Sequence, residues 1–196
     1  MIRKHYRIDQ KKLPADYPTH RHSNEFWEQL GRTVATYGFL EQILGRAIFA
    51  LTATRKYAQD ELEEAYGKWL GQLEGALSDS LGRLINAYDN ALGKHHESPF
   101  HNPEQLIGDL KCAAQLRNVL CHGSWQAPDG EGKSLPLFVD RELRVFATPI
   151  DVSYLKQVIV HLTDLICAVV DSISSLGLQF PGSAGPGELI WNKGDR

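Results

Sequence analysis

Four stretches of the chain repeat apolar residues at three- and four-residue steps, the period that places them on one face of a helix. The first runs through Phe26, Leu30, Val34, Tyr37, Leu40, Leu44, Ile48 and Leu51, about eight turns, with Ser23 placed to cap it. Gly31, Gly38 and Gly45 fall seven residues apart along it and suit close helix contact. The second joins Leu62, Tyr66, Leu70, Leu73, Leu77, Leu81, Leu84, Tyr88 and Leu92. Gly67, Gly71 and Gly75 interrupt its first half, so a kink or break is expected near 67–71, and the loop 93–102 ends it. The third starts with Asn102 as cap, Pro103 in the first helical position and Gln105 at capping-box spacing; Leu106, Leu110 and Ala113 or Ala114 form its inner stripe. It runs to His122, where Gly123 closes it. The fourth takes Thr148 as cap, Pro149 as first residue and Asp151 to complete a capping box. Its stripe is Leu155, Ile159, Leu162, Ile166, Val169, Ile173 and Leu176, with Gly177 as the stop.

Between the last two helices, "LPLFVD" and "LRVFAT" are β-rich pieces joined by a short charged turn, a small hairpin near 135–148. Four striped helices make an all-α four-helix bundle the expected fold, spanning 23–177 with that hairpin inserted. Residues 1–22 are basic and broken by Pro14 and Pro18, a flexible arm or one that steers phosphates. Residues 178–196 are rich in Gly and Pro and read as a flexible tail.

Composition narrows the classes. The chain has 196 residues, a formal net charge of −3, 42% hydrophobic and 23% charged residues, so it is no polycation that coats nucleic acid by charge alone. Cys112, Cys121 and Cys167 form no CxxC pair and sit in apolar helical patterns, where they read as small core residues in a reducing compartment. The N-terminus lacks the apolar core of a signal peptide, and no apolar run approaches the roughly 20 residues of a membrane span, so a cytoplasmic protein is expected.

One string does not fit a plain bundle. "LRNVLCHGSW", 116–125, carries Arg117 where the third helix's stripe expects a core residue. A guanidinium there needs a carboxylate, carbonyls or a bound phosphate. His122 lies five residues on, diverging by roughly 140° around the axis and about 7.5 Å along it. Asn118 and His122, four apart, share a face. His122 is in the last turn, where the helix dipole favours its charged form by about 0.3–1 kcal/mol, and histidine can act as acid or base near neutrality. One helix cannot easily aim both groups at one atom unless the arginine swings or a second copy supplies a partner.

The order Arg117, Asn118, Val119–Leu120–Cys121, His122 at the end of a long bundle helix resembles the motif of the HEPN superfamily, small helical domains found in many prokaryotic toxins and defence systems. The likeness covers about eight residues in motif and 23–176 in helix pattern; the hairpin and the glycine-rich second helix are not general family features. The resemblance implies a metal-independent endoribonuclease with Arg117, Asn118 and His122 as catalytic residues. His122 would move a proton at the ribose 2′-OH or the leaving 5′-oxygen, Arg117 would hold charge on the phosphorane, and Asn118 would orient them. It implies RNA as substrate, a homodimer that places both motifs at a shared interface, and an antitoxin or other partner protein in a toxin–antitoxin or defence setting. Some such domains keep the fold without the reaction, so a non-catalytic bundle that binds a partner protein or nucleotide is the alternative, and a plain helical dimerisation protein a third.

Ser124 and Trp125, beside the motif, are the candidate substrate contacts: Trp125 either stacks on a base or covers the helix end. Tyr6 and Tyr17 are weaker candidates for stacking. His95, His96, Glu97 and His101 crowd one loop and His20 and His22 form another pair, yet no helical spacing supports a metal site, and none is expected. No nucleotide-binding glycine loop, zinc-protease motif or nucleophile elbow is present, and no cofactor is called for.

Overall fold

The long first pattern forms one helix because its apolar stripe is unbroken and its start is capped. Helix α1 spans Asn24–Thr52, and the Ser23 hydroxyl accepts the Phe26 amide at 3.2 Å. The structure, a computed structural model, describes residues 7–53, 61–69, 81–95, 100 and 102–182. The stripe buries as expected except at one position: Val34 is partly exposed and Thr33 is buried in its place, its hydroxyl turned back on the Gln29 carbonyl at 2.8 Å. Gly31 and Gly38 face open space, so only Gly45 serves a close approach, with the Tyr66 hydroxyl 3.4 Å from where a Cβ would lie.

The second pattern is helical over 61–69 (α2) and again over Leu81–Leu92 (α3); most of the expected break lies in 70–80, outside the described residues. Helix α2 packs Leu62 and Tyr66 on Phe49 of α1. Arg46 stands over the Tyr66 ring at 5.0 Å, pairs with Glu63 at 3.0 Å and donates to the Pro181 carbonyl at 2.6 Å. That single side chain joins α1, α2 and the C-terminal segment. Phe180 is buried in the main core, so the first residues assigned to the flexible tail are part of the packing.

Helix α4 spans Pro103–His122, with Pro103 first as expected. Its capping box does not form: Asn102 sits in the left-handed region at φ 58° and its side chain caps nothing. Helix α5 spans Val152–Ser174, starting three residues later than the Thr148–Pro149 start would give. Asp151 is itself the cap, accepting the Tyr154 amide at 2.7 Å. Ile150 is held extended, because its N–H and carbonyl exchange bonds with Ser134. The stop is as read. Gly177 adopts φ 67°, its amide bonds to Ser174, and Leu178 reaches back to the Ile173 carbonyl, closing the helix with paired bonds only a left-handed residue permits.

Helices α1 and α5 pack along most of their length, with α3 and α4 against them. The core is built of Tyr37, Leu40 and Leu44 of α1, Ile85 and Tyr88 of α3, Leu110 of α4, and Leu155, Leu162, Val169 and Ile173 of α5. Tyr88 exchanges a buried 2.6 Å hydrogen bond with Ser172. Helix α5 is long and apolar enough, by length and composition, to cross a membrane, contrary to the expectation that no apolar run approaches a span. Here it buries one stripe on α1 and carries Lys156, His161, Asp164 and Asp171 on its other sides.

The hairpin is only partly the expected one. Strand β1 (Ser124–Trp125) pairs antiparallel with β2 (Pro136–Leu137), so "LPLFVD" answers the segment after the motif helix. "LRVFAT" is reached through the Val139–Val145 bridge and the Phe146–Phe138 bond. Among the described residues the fold is thus mostly helical, with one small two-stranded antiparallel sheet.

Candidate functional site

The C-terminal end of α4 is clamped. Gly123 follows the helix directly, and a Cβ there would lie 2.6 Å from the Val119 carbonyl and 2.8 Å from Pro136 Cβ. Its φ is −68°, so glycine is needed for the close approach of β2 and not for a left-handed turn, as a helix stop would suggest. The strand pair thereby seats itself against the last turn that carries the motif.

Arg117 is turned inward. Its side chain is 29% exposed and its guanidinium lies 3.8 Å from Glu41 of α1, itself 31% exposed. That separation is well beyond the roughly 2.7–2.9 Å of a charge-assisted hydrogen bond. The guanidinium therefore keeps donors for another oxyanion. No motif in the sequence marks Glu41. Its signal is positional: it directly follows Leu40 of the buried stripe, where a carboxylate can meet a cation on a facing helix.

Tyr37, one turn before Glu41, is buried, and its hydroxyl has no hydrogen-bond partner among the described residues. Burial raises its pKa far above the usual tyrosine value. Tyr154 and Cys121 push the same way, and the positive charge of Arg117 opposes them. Tyr37 is thus a neutral hydroxyl under the influence of the motif arginine.

His122 is exposed, and its ring has no hydrogen-bond partner among the described residues. Asn118 is exposed too, and lines a shallow groove with Phe138, Asp140 and Arg144 of the hairpin. Arg117 and His122 therefore look in different directions, the divergence that helix geometry requires. Within one chain they do not converge.

Ser124 is exposed on β1, opposite Leu137. Trp125 is half-buried and packs edge-on to Phe26 at 5.0 Å and to His22 at 6.2 Å, covering the end of the core. His22 also stacks on Phe26 at 4.5 Å, and its Nε2 is buried with no hydrogen-bond partner among the described residues. Burial lowers its pKa. His20 stacks on Tyr17. The Trp27 indole donates to the Thr19 carbonyl at 2.9 Å, which ties the basic arm to α1.

His95 meets the Leu51 carbonyl at 3.1 Å, while His96, Glu97 and His101 of the crowded loop, like Tyr6, lie outside the described residues. Among the described residues no three His, Cys, Asp or Glu side chains come together as metal ligands would. The three cysteines carry no disulfide, but all are exposed, which corrects their reading as core residues. Their helices bury other faces: Ala113 and Leu120 of α4 and Leu165 and Val169 of α5 take the inward positions.

The fold and its site define a mostly helical protein whose helix α4 presents an arginine inward and a histidine outward at its end. No family model, curated protein or solved structure matches the chain.

Proposed function

We propose that the chain is an HEPN-type, metal-independent endoribonuclease acting as a homodimer in a toxin–antitoxin or defence setting. The observation that carries the reading is the Arg117–Asn118–x3–His122 string at the end of α4, with His122 solvent-open and Arg117 held by a long, incomplete ion pair. In the reaction, the ribose 2′-oxygen attacks phosphorus, the P–O2′ bond forms and the P–O5′ bond breaks. His122 moves a proton at the 2′-OH or at the leaving 5′-oxygen, and Arg117 neutralises the phosphorane. The products are a 2′,3′-cyclic phosphate and a 5′-hydroxyl. Because the two side chains diverge within a chain, two-fold pairing of α4 ends is what would bring an arginine and a histidine to one phosphate.

The inward pairing of Arg117 with Glu41 favours one alternative, a non-catalytic bundle of the same type in which the arginine is structural and a protein partner or nucleotide is bound. RNA cleavage with EDTA present separates the two. Wild type should cut, a strand deoxy at the scissile position should resist, and His122→Ala should lose about 10²–10⁴-fold in rate. The Arg117–Glu41 pair is long and still partly open to solvent, so its loss should cost no more than about 1 kcal/mol, and Arg117→Ala should lose cleavage while keeping its circular dichroism. Equal cutting by His122→Ala would sink the site assignment; no cutting of any RNA would leave the alternative.

A further inference from the structure

A cleft of about 450 Å³ opens between α4, α5 and the hairpin, and its α4 wall includes Gln115 and Val119, the latter one turn before His122 on the same stripe. The size falls within the roughly 300–1,000 Å³ of small-molecule sites. Its walls include the rings of Phe146, Tyr154 and His161, the amides of Gln115 and Gln157, and Tyr37. Among the described residues no Lys, Arg, Asp or Glu lines it, so it suits an uncharged ligand. Neither glutamine amide has a hydrogen-bond partner among the described residues.

Tyr37 is the informative wall. Among the described residues the other fully buried tyrosine, Tyr88, is satisfied by Ser172, whereas the Tyr37 hydroxyl is buried and has no hydrogen-bond partner. An unsatisfied buried hydroxyl costs about 1–3 kcal/mol. A ligand acceptor in the cleft would remove that cost. Burial keeps the hydroxyl protonated, hence a donor.

We infer that this cleft binds a nucleobase. Flat aromatic walls receive the face of a planar heterocycle, and carboxamides match its edge, where donor and acceptor groups alternate. The inference deepens the ribonuclease reading and rests on it for the source of the base: an unstacked base of the RNA strand, held on the helix whose end carries the motif. A free nucleoside offers the same chemistry.

The test uses full-length protein carrying His122→Ala, so that cleavage plays no part. Adenosine, guanosine, cytidine and uridine are titrated to millimolar concentration while the side-chain amides of Gln115 and Gln157 are followed by NMR, with ribose 5-phosphate as the base-free probe. At least one nucleoside should shift those amides saturably, and ribose 5-phosphate should not. Tyr37→Phe, which keeps the ring, should weaken binding about 2–10-fold. The exposed Gln157→Ala serves if Tyr37→Phe does not fold. A matching loss with a short single-stranded RNA identifies a base of the strand; a loss confined to nucleosides identifies a free ligand. Amides unmoved by all four nucleosides, or equal binding by both variants, overturn the inference. Nucleoside binding here, with no RNA cut by the protein that keeps His122, preserves the cleft and loses the ribonuclease reading. RNA cleavage with unchanged KM when Tyr37→Phe and Gln157→Ala are made in protein that keeps His122 does the reverse.

Discussion

His22 shows how one side chain couples the basic arm to the core. Its ring is stacked on Phe26 and edge-on to Trp27, and burial of the ring lowers its pKa. The unfolded chain then takes up a proton near the ordinary value of 6.5, while the folded chain takes it up only at lower pH. The unfolded state binds more protons in that window, so stability falls as pH drops from about 6.5 through the folded value. His22→Phe should flatten that decline; an unchanged difference in Tm between pH 7 and pH 5 would refute it. Gly123 is the second residue whose role is steric. Gly123→Ala forces a Cβ into Val119 and Pro136 and should cost about 1–3 kcal/mol, at roughly 2–4 °C of Tm per kcal/mol in a chain of this size. A variant that melts with wild type would show that the strand pair is not seated against the helix.

At the scale of elements, the start of α5 depends on which acceptor reaches an orphan amide. Thr148, Pro149 and Asp151 satisfy the spacing rules for a start at 149, but the bridge between Ile150 and Ser134 holds the chain extended until Asp151. Asp151→Ala should therefore cost about 0.5–2 kcal/mol, while Thr148→Ala at its exposed site should stay within about 0.5 kcal/mol. Thermal denaturation of the two variants decides it, and the reverse ranking would restore the earlier start. Asn102 makes the same point: good cap chemistry fails when the backbone is left-handed and the side chain cannot reach the first turn.

For the whole molecule, the divergence of Arg117 and His122 bears on assembly. Sedimentation at tens of micromolar should find a symmetric dimer with the α4 ends facing each other. A monomer, or a dimer with the two motifs on opposite surfaces, would leave each site with half its groups. Helix periods, the Ser23 cap, the Gly177 stop and the motif string were all legible along the chain, because each depends on neighbours within about one or two turns. Glu41, the buried Tyr37 hydroxyl and the stapling by Arg46 were not, since each needs to know which helix lies opposite.

The sequence by itself therefore determined the helical character, the stripes and the identity of the groups at the end of α4, because a 3.6-residue period and local capping are written in nearby residues. Only the tertiary structure decided that Val34 turns out and Thr33 in, that the cysteines are exposed, that β2 pairs with β1, and that Arg117 meets Glu41. Those outcomes depend on contacts between residues far apart in the chain, where burial on a facing surface outweighs local preference.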